Sequence, residues 1–341
     1  MPNWLPRLAA GVAVLAACQG PPRAARAVVI NTISGTGNTT APADDPGWAN
    51  VGELGIGTGV YLGNGWVLTA YHVGGGSIVL GGGTYAMLAG SGTRLTNGGA
   101  PGKAPLTDLS MFRLATTPTG LGGVAIAATP SGTGAAVTMI GAGLNRGAFT
   151  KWLINTSTTP NVWTETTGTA ADAAGYKTGA GRAVRWGTND VETSNFWERS
   201  YFGPGPNDFT SVRAFTTDFD FAEDSTEAQA VLRDSGGAVF AKQGSQWQLT
   251  GVIYAVEGFP DQPSPVFNAV FGNFTYMADL SHYRSQIVAA VPEPSAAVLA
   301  ACGAAGLFIA RSRRPRRPGH GPARTKDERP PTAPRIKARS A

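Results

Sequence analysis

With 341 residues, 47 of them glycine and 24 proline, the chain is long enough for a sizeable core and too rich in breakers for a bundle of long helices. Its formal charge of +5 is carried by the ends: residues 291–341 hold 11 Lys/Arg against 3 Asp/Glu and residues 1–27 hold three Arg and no acid, which leaves 28–290 at about −6. That distribution excludes charge-driven nucleic-acid binding by the body, and the lack of cysteine between Cys18 and Cys302 excludes a disulfide framework or a cysteine zinc site there.

The first element is a secretory signal over 1–27. Arg7 precedes an apolar run at 8–17, and small residues follow. Two cleavage sites compete. Ala25-Arg26-Ala27 fits the small-x-small rule and would start the mature chain at Val28. Leu15-Ala16-Ala17-Cys18 resembles a lipobox that would leave Cys18 lipidated.

The body, 28–290, reads as short apolar runs broken by Gly, Asn and Pro. Gly57-Thr58-Gly59-Val60-Tyr61-Leu62, Asn64-Gly65 and Trp66-Val67-Leu68-Thr69 spell a hairpin, because Asn-Gly suits the left-handed turn between two strands. His72 follows at the strand end. Further strands are predicted at 77–80 and 135–140. Between them, Asp108 opens the strand-like run Asp108-Leu109-Ser110-Met111-Phe112-Arg113-Leu114. Residues 145–230 are rich in Thr, Asn, Gly and Trp, and their strands cannot be ordered from sequence. Asp234-Ser235-Gly236-Gly237 forms a turn, and the runs at 239–240 and 247–254 read as a hairpin after it. Residues 274–288 carry apolar positions near helical spacing and are predicted as the body's one helix.

Three segments in this order carry chemistry: Thr69-Ala70-Tyr71-His72, the Asp108 run, and Asp234-Ser235-Gly236-Gly237. A serine hydroxyl needs a positioned imidazole to take its proton, and the imidazole needs an acid to fix its tautomer. Of the three histidines, His320 lies in the basic tail and His282 in the predicted helix, which leaves His72 as the candidate base.

The order His, Asp, Ser and the three motifs resemble the trypsin-like serine peptidase family over nearly all of 28–289. The resemblance implies an all-β fold of two antiparallel six-stranded β-barrels with a C-terminal helix and the site in the cleft between them. It implies a secreted serine endopeptidase acting on protein or peptide substrates, with no cofactor. His72 would be general base, Asp108 its orienting acid and Ser235 the nucleophile. The backbone N–H groups of Arg233 and Ser235 would form the oxyanion hole, with Gln229, Tyr254 and Val256 in the substrate pocket. Gln229 would stand at the pocket base, so an acid-dependent preference for Lys or Arg is not implied. The chain departs from the family at Arg233, where glycine is usual, and at Ala238, where proline is usual. Asp234 would pair with the new N-terminus at Val28, or else bond to local backbone.

At the other end Val291-Pro292-Glu293-Pro294, an apolar stretch at 295–310 and Arg311-Ser312-Arg313-Arg314-Pro315-Arg316-Arg317 resemble a PEP-CTERM sorting signal over 291–317. That resemblance implies a transmembrane segment at 295–310, an exosortase-type processing partner, a membrane stage during sorting, and a secreted or cell-surface destination. The polar tail at 318–341 extends beyond where such signals usually stop and has a disordered composition. Two other readings compete for the body: a catalytically weak or inactive surface-binding protein on the same fold, and a carbohydrate-binding β-sandwich. No transition-metal constellation is visible, and the carboxylates Asp44-Asp45 or Asp218 and Asp220 offer only an unspecific calcium site.

Overall fold

The computed structural model describes residues 28–31, 38–201, 209–221, 225–264 and 266–291. The predicted secretory signal at 1–27, nearly all of the predicted sorting signal at 291–317 and the tail at 318–341 lie outside them. Among the described residues, no helix is long and apolar enough to cross a membrane.

The body is all-β with one C-terminal helix. In chain order, β1 (Val29–Ile30) precedes the strands of the first half: β2 (Val51–Leu54), β3 (Gly57–Gly63), β4 (Trp66–Ala70), β5 (Ile78–Leu80), β6 (Gly83–Tyr85), β7 (Thr93–Thr96) and β8 (Leu106–Arg113). The second half holds β9 (Ala136–Gly141), β10 (Leu144–Asn155), β11 (Val162–Thr166), β12 (Ala173–Arg182), β13 (Arg185–Asp190), β14 (Thr193–Tyr201), β15 (Phe209–Asp218) and β16 (Ala228–Gln229). It ends with β17 (Ala238–Gln243), β18 (Gln246–Glu257), β19 (Asn268–Val270), β20 (Phe274–Asp279) and the helix α1 (Leu280–Ala290).

The first half is one seven-stranded antiparallel sheet in the order β6-β5-β2-β3-β4-β8-β7. The second half is another, β13-β9-β17-β18-β20-β15-β14. Each has one strand more than the six expected, and short edge strands flank the first. A four-stranded sheet, β11-β10-β12-β19, is added on the second half, and β1 pairs with β16. The unordered stretch 145–230 divides between this added sheet, which takes β10, β11 and β12, and the second seven-stranded sheet, which takes β13, β14 and β15.

The Asn-Gly hairpin forms as its sequence requires. Asn64 and Gly65 both take positive φ, 51° and 80°, between β3 and β4. The predicted helix at 274–288 needs correction. Residues 274–279 are the strand β20, a central strand hydrogen-bonded to β15 and β18 at once, and the helix starts only at Leu280. Strand pairing on both sides outweighs a helical spacing shared by only a few apolar residues. Asp279 ends the strand and caps the helix by accepting from the Ser281 N–H at 3.0 Å.

The core is continuous across both halves. Val60, Leu68, Leu109 and Met111 of the first sheet join Val212, Phe240, Leu249 and Val252 of the second, with Leu280, Tyr283 and Ile287 of α1. Burying so much apolar surface between the halves holds them as one unit with no disulfide cross-link.

Candidate active site

His72 sits in a single 3-10 turn, Tyr71–Val73, at the end of β4. Strand β4 pairs with β8, which sets Ala70 opposite Leu109 and brings Asp108 under the turn. The wholly buried Asp108 carboxylate accepts twice from His72: from its Nδ1 at 2.9 Å and from its backbone N–H at 3.0 Å. The second bond fixes the turn, and the first fixes the ring with Nε2 as the free nitrogen. Only about a third of the imidazole is exposed.

Ser235 is tied to the first sheet through its backbone. Its carbonyl accepts from the Thr58 N–H on β3 at 2.8 Å. The next residue, Gly236, takes φ 87°, and a Cβ there would lie 1.9 Å from the Thr58 carbonyl and 2.3 Å from Thr69 Oγ1. Only glycine lets the turn press so closely onto β3 and β4. The turn is closed by Gly237 N–H donating to the Asp234 carbonyl at 2.8 Å and Gly236 N–H to Ile253 at 2.7 Å. Ser235 is half-buried, and its Oγ makes no hydrogen bond among the described residues.

Among the described residues, the N–H groups of Arg233 and Ser235 donate to no protein acceptor. Arg233 adopts φ 79°, the left-handed region that favours glycine. The left-handed backbone at 233 is thus held by a residue with a full side chain.

Asp234 is wholly buried. It accepts from the N–H of Gly143 at 2.8 Å, from that of Val231 at 2.9 Å, and from that of Val28. Gly141 and Gly143 leave it room: Cβ atoms there would fall 2.2 Å from its Oδ1 and 2.6 Å from its Cγ. Desolvation pushes the Asp234 carboxyl up to about 7, and the three N–H donors and Arg182 only partly oppose that. Val28, Val29 and Ile30 are all buried, and β1 seats Val29 against Gln229.

The pocket residues separate. Tyr254 and Val256, on β18, line a cleft of about 290 Å³ with Glu198, Arg199, Glu257 and Tyr276. The buried Tyr254 hydroxyl has no hydrogen-bond partner among the described residues, and burial raises its pKa. Gln229 is wholly interior, its Nε2 donating to the Phe274 carbonyl at 3.3 Å and its Oε1 unpartnered among the described residues. Asp44 instead bonds Lys242 and Trp247, and Asp45 caps Gly47 and Trp48. No group of three or more His, Cys, Asp or Glu able to hold a metal occurs among the described residues.

Two residues near the site carry no motif. Thr58 bonds the backbone of Arg233 and Ala142 in the second half, and Arg182 bonds that of Ala142 and of Gly55 in the first. Arg182 lies in the stretch whose strands the sequence leaves unordered. The Gly141-Ala142-Gly143 run after a strand was a readable sign of close backbone approach.

No family model and no curated protein matches this chain. Solved structures do. Neuropsin, a serine protease of mouse brain, is 15% identical, with 75% of this chain and 98% of that one covered at a TM-score of 0.45. Rv3671c of M. tuberculosis H37Rv, in an inactive form, is 14% identical over 78% of this chain and 99% of its own at 0.42. A further inactive-form structure of the Rv3671c protease is 15% identical over 72% and 90% at 0.39. The chain is thus similar in its path to solved serine proteases, at identities that concern the path alone.

Proposed function

We propose that this protein is an exported serine endopeptidase. The observation that carries the reading is the double hydrogen bond from His72 to a wholly buried Asp108, beside a serine turn whose two N–H groups are undonated. His72 Nε2 takes the Ser235 proton as Oγ attacks the substrate carbonyl. The Arg233 and Ser235 N–H groups receive the oxyanion. The imidazolium, steadied by Asp108, then protonates the leaving amine and leaves an acyl-enzyme. Water, deprotonated by His72, releases the acid and restores the serine.

We further infer that export completes the site. Cleavage after Ala27 converts the Val28 N–H already at Asp234 into an ammonium. The new charge pairs with the buried carboxylate, and no later activation cut is needed. The C-terminal motif supports sorting by an exosortase-type enzyme to the cell surface.

The test is fluorophosphonate labelling of the exported chain, beside Ser235→Ala and His72→Ala. Labelling of the wild type that both substitutions abolish is the expected result. A folded, correctly cleaved protein that takes no label would favour the second reading, a surface-binding protein on this fold, for which the left-handed Arg233 is the motivating observation. Adding one residue before Val28 is expected to lower labelling at least tenfold, since the ion pair then has no ammonium to use; unchanged labelling removes the export-activation step.

A further inference from the structure

We infer that Thr58 is a positioning residue that holds the oxyanion hole open around a left-handed arginine. The inference rests on the serine-hydrolase reading. Thr58 lies on β3, opposite the serine turn, and is wholly buried. Its hydroxyl accepts from the Ala142 N–H at 2.9 Å and donates to the Arg233 carbonyl at 2.9 Å. A hydroxyl has one proton, and accepting from Ala142 leaves that proton directed at Arg233.

The consequence is a peptide plane pinned at both ends. The plane joining Arg233 to Asp234 has its carbonyl held by Thr58 Oγ1 and its N–H held by the Val231 carbonyl at 3.0 Å. The preceding plane has its Leu232 carbonyl held by the Leu144 N–H at 2.9 Å. A rotation of that plane would turn the Arg233 N–H away from the oxyanion position. The Leu144 bond opposes rotation from one side. The Thr58 bond holds the following plane, so ψ of Arg233 cannot adjust and any rotation must be taken up at φ of Arg233 alone.

Glycine would hold a φ of 79° without steric cost, whereas arginine is driven back toward negative φ by its own Cβ. The side chain that opposes this drive comes from the other half of the molecule. Thr58 also ties the same loop through its main-chain N–H, which donates to the Ser235 carbonyl, while its own carbonyl accepts from Thr69 Oγ1 on β4 at 2.7 Å. Those main-chain bonds survive any substitution at 58, so the hydroxyl can be tested alone.

The experiment measures inactivation of the exported full chain by a fluorophosphonate, resolved into a maximal rate and a half-saturating concentration. Thr58→Val keeps shape and removes the hydroxyl. Its maximal rate is expected to fall about 10- to 100-fold, as for misplacement of a catalytic group by about an ångström. The half-saturating concentration and the midpoint of the pH–rate profile stay unchanged, because His72 and Asp108 are untouched. Thr58→Ser restores the rate to within about threefold, since the hydroxyl bond returns. Should Thr58→Val fail to fold, Thr58→Ala takes its place in the same comparison with Thr58→Ser.

A valine variant that reacts at the wild-type rate overturns the inference. So does a serine variant as slow as the one lacking the hydroxyl. Both outcomes leave the serine-hydrolase reading standing. A folded wild-type chain that never reacts overturns that reading, and the positioning role falls with it.

Discussion

The buried carboxylate of Asp234 gives the clearest dependence on pH. Its pKa is raised to about 7 by desolvation, against 3.8 for the ordinary side chain, while residues before Val28 remain attached. A folded-state pKa above the unfolded one means that folding favours the proton. The contribution is fully present below about pH 4 and is lost as pH rises through about 7. In the inactive Ser235→Ala background, the uncleaved chain should therefore melt lower at pH 8 than at pH 5, by on the order of 5 °C. A chain starting at Val28 should lose most of that slope, because its ammonium stabilises the carboxylate. Equal slopes in thermal melts of the two chains would deny the pairing. The same carboxylate makes Gly143 irreplaceable: Gly143→Ala places a carbon 2.6 Å from Asp234 Cγ and should cost about 1–3 kcal/mol in denaturant unfolding, since the cradle has no room to give. The pairing of His72 with Asp108 was legible because each stands in a short motif near a strand end. Thr58 was not, because its partner lies 175 positions away and a threonine in a strand needs no explanation.

At the scale of elements, legibility follows how local the cause is. The β3–β4 hairpin was readable because Asn64 and Gly65 carry its turn within two residues. Strand β20 was misread because its identity comes from β15 and β18, both distant in sequence. The added sheet was invisible for the same reason, and its end carries a clamp. Arg182, on β12, donates from Nε to the Ala142 carbonyl at 2.8 Å, from Nη1 to Gly55 at 2.8 Å, and from Nη2 to Gly57. One guanidinium so joins the β2–β3 turn to the strand end that cradles Asp234. Lysine has no fork with which to reach three carbonyls. Arg182→Lys should lose about 1–3 kcal/mol in denaturant unfolding and should slow fluorophosphonate labelling, as the turn before Thr58 loosens. Wild-type values in both measurements would mean that the β2–β3 turn needs no clamp.

Across the whole molecule, a cleft between two halves is useful only if the halves cannot drift, and no disulfide spans the body. The shared apolar core supplies most of that constraint. Helix α1 adds direction. Gln286 bonds both the N–H and the carbonyl of Thr96 in the first half, at 3.0 and 2.9 Å. Tyr283 is the junction: its hydroxyl accepts from Thr107 Oγ1 at 3.0 Å and from the Arg213 N–H in the second half at 2.9 Å, and it donates to Asn97 Oδ1 at 3.0 Å. Burial pushes the phenol up to about 12, so it keeps its proton and all three bonds through the neutral range. Thr107 directly precedes Asp108. The helix thereby braces the strand that holds the acid against the sheet that carries the serine. Tyr283→Phe retains the buried ring and strands three buried polar groups, which should cost about 2–4 kcal/mol and lower the melting temperature within a single cooperative transition. Labelling at Ser235 should fall as well, because Asp108 loses its neighbour's anchor. A variant that melts early but labels at the wild-type rate would confine Tyr283 to stability. One whose halves melt in two steps would show that the hydroxyl, more than the apolar core, makes them one unit.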